Sequence, residues 1–182
     1  GMLLPPYDTR NTLSRLAVCI AAFAPARVVA LGDSFHRGEF ADRITPQDRE
    51  FLHALQQGRE WYWVLGNHDP HLPPELGGVT CAEIVARGIT LRHEPSRNAE
   101  GPEIAGHLHP VARIARRGEV LRRKCFATDG LRLVMPAFGA YTGGLNVLDE
   151  AFAPLFAFDS FAAWMTGRRD VYRMSLRVLL PD

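Results

Sequence analysis

The sequence is poor in several features that would assign it to a special class of protein. It has only three cysteines, Cys19, Cys81 and Cys125, in 182 residues, and their odd number and wide spacing exclude a disulfide framework and favour a reducing, cytoplasmic compartment. No apolar run is long enough to cross a membrane; the longest candidate covers residues 16–26. Because 21 basic residues balance 20 acidic ones, no global field draws the chain to nucleic acid or lipid.

The composition that remains is that of an ordinary globular protein. Hydrophobic residues make up 47% and charged residues 23% of the chain, which excludes disorder and fibrous structure. A chain of 182 residues can bury a core without disulfides or structural metal. Since no linker, repeat or low-complexity segment interrupts it, we predict one domain over residues 1–182.

The first half alternates between helical and strand patterns. Apolar residues at helical spacing predict a helix from Asp8 or Thr9 to Phe23, and a second helix begins at Thr45 with proline in its first turn. Two continuous apolar runs, 27–31 and 61–65, are typical of strands buried on both faces. This order predicts an α/β fold.

The second half is rich in short strands. A short helix is expected at 160–165, with Trp164 in the core, and a last strand at 171–179. Together with the first half this predicts two sheets with helices outside. The remaining strand-like runs are 82–85, 89–92, 103–105, 111–115, 120–126 and 131–135.

Polar side chains cluster directly after four of these strands, where open α/β sheets place their sites. Each group has an ordinary explanation alone: Gly-Asp is often only a turn, and Gly-Asn-His-Asp suits a loop. It is harder to attribute to chance that four strands are each followed by such residues. The mixture of carboxylate, amide and imidazole groups suits the binding of Mn²⁺, Fe²⁺ or Zn²⁺. The residues are Asp33 and His36, then Asn67, His68 and Asp69, then His93, then His107 and His109.

These motifs resemble those of a known family. Gly32-Asp33, Gly66-Asn-His-Asp69, His93 and Gly106-His-Leu-His109 are similar to the successive motifs of calcineurin-like metallophosphoesterases. Four longer segments resemble the DNA ligase-associated, ICC-like bacterial branch of that superfamily. They are Gly32-Asp-Ser-Phe-His36, His93-Glu-Pro-Ser96, Gly106-His-Leu-His-Pro110 and Pro136-Ala-Phe-Gly-Ala-Tyr-Thr-Gly-Gly144.

The resemblance implies a four-layer αββα metallophosphoesterase sandwich with mixed sheets, and a two-metal hydrolase of phosphodiesters or phosphomonoesters. Asp33 would bridge both ions, Asn67, His93 and His107 would complete the second site, and His109 would bind the first ion. In such enzymes the ions activate a hydroxide and neutralise charge on the phosphoryl oxygens.

The same resemblance assigns the remaining catalytic roles and partners. His68 would act beside the leaving oxygen, as hydrogen-bond donor or general acid, and Asp69 would orient His68. Beyond a phosphate-ester substrate, it implies nucleic acid and association with a DNA ligase or helicase in repair. A homodimer is a further expectation, and membrane association is not expected.

One motif of the family is missing. The family carries Asp-x-His at the end of a strand that precedes the first helix, whereas the nearest candidate here, Asp8-Thr-Arg10, has arginine in place of histidine. With only Asp33 and His109 left for the first ion, we expect at most one metal to bind well. Either the motif lies upstream of Met2, which we favour, or it has been lost. His36 is interpreted as substrate-facing, with partial replacement of the missing ligand as the alternative.

A basic hairpin follows His109. It either contacts the phosphate backbone of DNA, with Arg122 and Arg123 binding substrate, or is simply a solvated surface in an arginine-rich chain; the second interpretation is favoured. The hypothesis for the whole protein is an enzyme, and its alternative is a degenerate member that binds or scaffolds partners. The basic residues are Arg113, Arg116, Arg117, Arg122, Arg123 and Lys124.

Overall fold

The structure is a computed structural model that describes residues 8–35, 44–139, 141–157 and 159–182. The chain divides into two compact units. The first takes in the described residues up to Glu83 together with Phe138–Thr142, and the second comprises Ile84–Ala137 and Gly143–Asp182. The prediction of a single domain stays a prediction.

The first unit contains a small parallel sheet and two helices. Helix α1 (Asp8–Phe23) and helix α2 (Pro46–Gln56) are the α-helices among the described residues. Thr45 caps α2, since its side chain accepts a hydrogen bond from the backbone N–H of Asp48 at 3.1 Å. Both helices agree with the sequence prediction.

The sheet of this unit has three parallel strands in the order β1-β2-β3. They are β1 (Arg27–Leu31), β2 (Glu60–Val64) and β3 (Val79–Cys81), and β3 was not predicted. In a parallel sheet all carboxyl ends lie at one edge, so the loops after β1 and β2 emerge side by side. The core beneath them includes Trp61 and Trp63.

The second unit is built on an eight-stranded mixed sheet. Strands β5, β6 and β9 run parallel to one another, so the loops after β5 and β6 also start at one edge. Strand β7 lies off the main path and pairs with the first part of the long strand β8. The strands are β4 (Glu83–Ala86), β5 (Ile89–Arg92), β6 (Glu103–Ala105), β7 (Val111–Arg116), β8 (Glu119–Thr128), β9 (Arg132–Val134), β10 (Ala162–Thr166) and β11 (Val171–Met174).

Two predictions in the last part of the chain are wrong. The helix expected at 160–165 is strand β10, which pairs with β8 on one side and β11 on the other. Trp164, expected in the core, is 37% exposed because alternation along β10 buries Ala163 and Met165 instead. The final strand ends at Met174 and is followed by a 3₁₀ turn.

The predicted mixed α/β architecture with two sheets is confirmed. Of the described part of the chain, only the first unit carries α-helices. The described residues contain no helix that combines the length and the apolar character needed to cross a membrane.

Candidate metal centre

In the first unit, two loops at the edge of the parallel sheet carry four of the predicted site residues. Asp33 lies two residues after β1, and Asn67, His68 and Asp69 begin three residues after β2. The backbone N–H of His68 donates to Asp33 Oδ1 at 2.9 Å. The structure therefore brings Asp33 and the Gly66–Asp69 motif together, as the parallel pairing of β1 with β2 requires.

The fully buried carboxylate of Asp69 joins these two loops. Its Oδ1 accepts from the N–H of Asp33 and of Gly66, both at 2.9 Å, and its Oδ2 accepts from Ser34 N–H at 2.7 Å and Phe35 N–H at 3.3 Å. Burial raises the pKa of Asp69, and the four N–H donors oppose that rise. Asp69 thus fixes the backbone of both loops, while its predicted influence on His68 stays a prediction.

Gly66 is required by the closeness of the two loops. A Cβ atom at this position would lie 2.1 Å from Asp33 Oδ1, 2.4 Å from Asp33 N and 2.8 Å from Asp69 Oδ1. No side chain fits in that space unless the loop after β1 moves. The sequence motif therefore specifies a close backbone approach as well as the polar groups of Asn67 and His68, whose side chains are exposed.

In the second unit, two predicted histidines meet at the edge of the mixed sheet. His93 directly follows β5 and His107 lies two residues after β6, and His107 Nδ1 is 3.2 Å from His93 Nε2. The two rings are nearly perpendicular, with centroids 5.0 Å apart. His93 is only 6% exposed, and its carbonyl accepts the N–H of Gly106 at 2.9 Å.

The backbone of the His107–His109 motif is strained. His107 has φ 62° and His109 has φ 49°, backbone angles that residues other than glycine rarely adopt. Leu108 N–H donates to Gly106 carbonyl at 2.8 Å, so residues 106–108 form a γ-turn of the unfavourable, positive-φ kind. Asp33, in the first unit, has φ 48°. Three of the five predicted metal ligands thus adopt a costly backbone conformation, which is typical of functional sites.

His109 is held by a neighbouring segment. A Cβ on Gly144 would lie 1.9 Å from the carbonyl oxygen of His109, and the N–H of Val111 donates to Leu145 carbonyl at 2.8 Å. The segment Gly144–Asn146 therefore runs against the chain just after the histidine motif, and the Val111–Asn146 bridge continues this contact.

The predicted substrate residues have different outcomes. His36 lies outside the described residues. Arg122 Nε donates to Asp182 Oδ1 at 3.3 Å, and this hydrogen bond lowers the pKa of Asp182. Arg122 also donates to the Gly144 carbonyl at 2.8 Å. Arg123 donates to the carbonyl of Arg122 at 3.0 Å. Their role in binding substrate stays a prediction.

Sequence reasoning missed a buried ion pair in the second unit. Arg132 on β9 and Glu103 on β6 are 8% and 2% exposed, and the guanidinium donates to Glu103 Oε1. The sequence did offer a signal, since Glu103 and Arg132 each begin a strand whose other residues are apolar. Charged residues are rarely fully buried without such pairing.

Comparison with known proteins gives a structural match over nearly the whole chain. The crystal structure of Pseudomonas putida nuclease MPE is 28% identical in sequence, with a TM-score of 0.73, over 96% of this chain and 82% of that one. No model of a protein family matches the sequence. A search of curated proteins finds no significant match.

Proposed function

We propose that the chain, whose fold is of the calcineurin-like metallophosphoesterase type, is a metal-dependent hydrolase of phosphodiester bonds in nucleic acid. The observation that carries the proposal is the approach of His93 Nε2 to His107 Nδ1 at the ends of two adjacent strands. The nuclease among its structural neighbours favours a phosphodiester over a phosphomonoester substrate. We place the protein in the DNA ligase-associated, ICC-like branch.

The two imidazoles suit a divalent ion. Imidazole nitrogen is a common ligand of zinc and similar ions. His93 Nε2 and His107 Nδ1 lie 3.2 Å apart, so both would be available to hold one divalent ion. Burial of His93 and the strained turn at His107 fix this separation before any ion binds.

The proposed ligands are Asp33, Asn67, His93 and His107 for the second ion, with His109 binding the first. Their carboxylate, amide and imidazole groups form a borderline donor set, which suits Mn²⁺, Fe²⁺ or Zn²⁺ better than Mg²⁺ or Ca²⁺. When bound, a divalent ion lowers the pKa of water and neutralises charge on the phosphoryl oxygens.

His68 is the proposed proton or hydrogen-bond donor to the leaving oxygen. Its side chain is exposed, so a substrate can reach it, and its backbone N–H is held by Asp33 Oδ1. Asp69 supports it indirectly, because the Asp69 carboxylate fixes the two loops on which Asp33 and His68 lie.

Hydrolysis assays test this proposal. With Mn²⁺, the protein is expected to cleave bis(p-nitrophenyl) phosphate and single- or double-stranded DNA, and a chelator should abolish both activities. His68→Ala should lower kcat by about 10²–10⁴-fold, the usual contribution of a positioned acid. His71→Ala, which alters an exposed loop histidine outside the proposed site, is the matched control. Full activity of His68→Ala would contradict the mechanism.

The proposed partners need separate measurements. Charge reversal at Arg122 and Arg123 should weaken DNA binding and reduce its salt dependence if these residues contact phosphates. Association with a DNA ligase or helicase is testable by co-purification from a cytoplasmic extract, and a homodimer by light scattering. DNA binding that is unchanged by the charge reversal would favour the solvated-surface interpretation of the hairpin.

A further inference from the structure

The buried pair Glu103–Arg132 has more partners than an ion pair needs. The Arg132 guanidinium donates to Glu103 Oε1, to the carbonyl of Leu155 and to the carbonyl of Ser96. The other oxygen of Glu103 accepts the N–H of Ser96 at 3.4 Å and lies 3.6 Å from Arg92 Nε. The pair therefore hydrogen-bonds both backbone groups of Ser96: Glu103 accepts from its N–H, and Arg132 donates to its carbonyl.

Ser96 is the fourth residue of the loop that begins with His93 and joins β5 to β6. The segment His93-Glu-Pro-Ser96 is tied at its start by the hydrogen bond from Gly106 N–H to the His93 carbonyl. The hydrogen bonds to Ser96 tie the other end of this segment to β6 and β9, the two strands that carry Glu103 and Arg132. Since His107 also follows β6, this strand is connected to both histidine-bearing segments.

We infer that Glu103 and Arg132 are positioning residues for the metal centre, and that they hold the His93 loop so that His93 Nε2 faces His107 Nδ1. This inference rests on the proposed metal site. A buried ion pair is weak evidence for stability, because apolar residues of similar size often replace it without loss of stability. Apolar residues cannot reproduce the two hydrogen bonds to the N–H and the carbonyl of Ser96.

The test therefore separates stability from positioning. The double variant Glu103→Leu with Arg132→Met removes both charges of the pair together, so neither member is left buried without the other. Arg132→Lys keeps the charge opposite Glu103, but an ammonium cannot reproduce the three-way contact of the planar guanidinium. The matched control is Arg10→Met with Asp48→Leu, an ion pair at 2.6 Å that joins α1 to α2 in the first unit.

The readouts are affinity for Mn²⁺ and for Zn²⁺ by titration calorimetry and the imidazole NMR signals of His93 and His107 in the metal-free protein. We expect the Glu103/Arg132 variants to lose about 10–100-fold in metal affinity, the usual effect of removing a group that orients a ligand. Their imidazole signals should shift or broaden. The control variant should retain both properties.

The outcomes distinguish this inference from the proposed function. If the parental protein binds neither ion, the proposed function fails. If the parental protein binds and the folded double variant binds equally well with unchanged imidazole signals, Glu103 and Arg132 are merely structural and the inference is overturned. Should the double variant not fold, Arg132→Lys decides: parental affinity in this variant overturns the inference, and weakened affinity supports it.

Discussion

At the scale of single residues, Asp69 shows how one buried carboxylate can hold two loops together without being a proposed metal ligand itself. Four backbone N–H groups from two loops converge on its two oxygens. Such N–H groups carry no charge of their own, but each would be costly to bury without an acceptor. The carboxylate therefore stabilises the approach of the loops that carry Asp33 and His68.

Asp69→Asn is expected to destabilise the protein by about 2–3 kcal/mol, because the amide replaces one acceptor oxygen with an N–H donor facing buried N–H groups. Urea unfolding at neutral pH measures this change. Asp170→Asn, at an exposed position, is the control and should leave the free energy of unfolding nearly unchanged. Equal stability of the two variants would contradict the role assigned to Asp69.

Sequence could identify polar residues that follow strand ends and form the candidate site, but not the roles of their neighbours. The order of Asp33, Asn67, His93 and His107 along the chain was readable because each follows a strand. The anchoring function of Asp69 depends on contacts between loops that are more than thirty residues apart. Patterns of local spacing carry no information on such contacts.

At the scale of elements, the segment Gly144–Asn146 supports the strained histidine motif. It packs on the carbonyl of His109, and the buried side chain of Asn146 ties it to Leu180 by donating to that carbonyl at 2.9 Å. A residue in the left-handed region persists only when its surroundings hold it there. The segment Gly144–Asn146 is one such surrounding for His109.

Two adjacent glycines allow this support to be tested. Gly144→Ala is expected to lower the free energy of unfolding by about 1–3 kcal/mol, because the new Cβ would overlap the His109 carbonyl. Gly143→Ala is the control, since its Cβ would meet nothing within 4 Å. If both variants lose equal stability, the close contact at Gly144 is not the cause.

Asp129 lies in the turn between β8 and β9. Its ionisation should make the free energy of unfolding depend on pH in the acidic range. Burial acts to raise its pKa, but the N–H groups of Arg132, Ala157 and Leu131 together bring it below its ordinary value of 3.8. A depressed pKa contributes stability that is present above the unfolded value and lost as pH falls through the folded value. Asp129 therefore stabilises the fold at neutral pH and less so below about pH 4.

We expect Asp129→Asn to be less stable than the parental protein at about pH 6, with the difference shrinking as the pH approaches about 3. Guanidinium unfolding across this range measures it. The Asp170→Asn variant again serves for comparison. A stability difference that stays constant with pH would mean that the ionisation of Asp129 is not linked to folding.

The two helices of the first unit were predicted correctly, whereas the helix predicted at 160–165 is a strand, and the difference has a physical reason. Helix α2 is determined locally by the Thr45 cap and the proline that follows it. Strand β10 depends instead on pairing with β8, more than thirty residues earlier, and its Phe161-Ala-Ala-Trp-Met sequence suits either structure. The three-residue strand β3 was too short to give a pattern of its own.

At the scale of the whole molecule, both compact units carry proposed ligands. Asp33 and Asn67 belong to the first unit, and His93, His107 and His109 belong to the second. The oxygen ligands thus come from loops after a parallel sheet, and the imidazoles from loops in a mixed one. Within each unit, parallel neighbouring strands bring the ligand-bearing loops to one edge, which is the general rule for sites in α/β sheets.

Metal binding should therefore raise the thermal stability of the protein. An ion that binds only the folded chain stabilises it by about 2.7 kcal/mol at a concentration 100-fold above Kd, which corresponds to a rise of about 5–10 °C in Tm for a chain of this length. Calorimetry with and without Mn²⁺ measures the shift. His107→Ala should abolish it because His93 then loses its partner nitrogen, whereas His71→Ala should retain it. A shift that survives in His107→Ala would mean that the ion binds elsewhere.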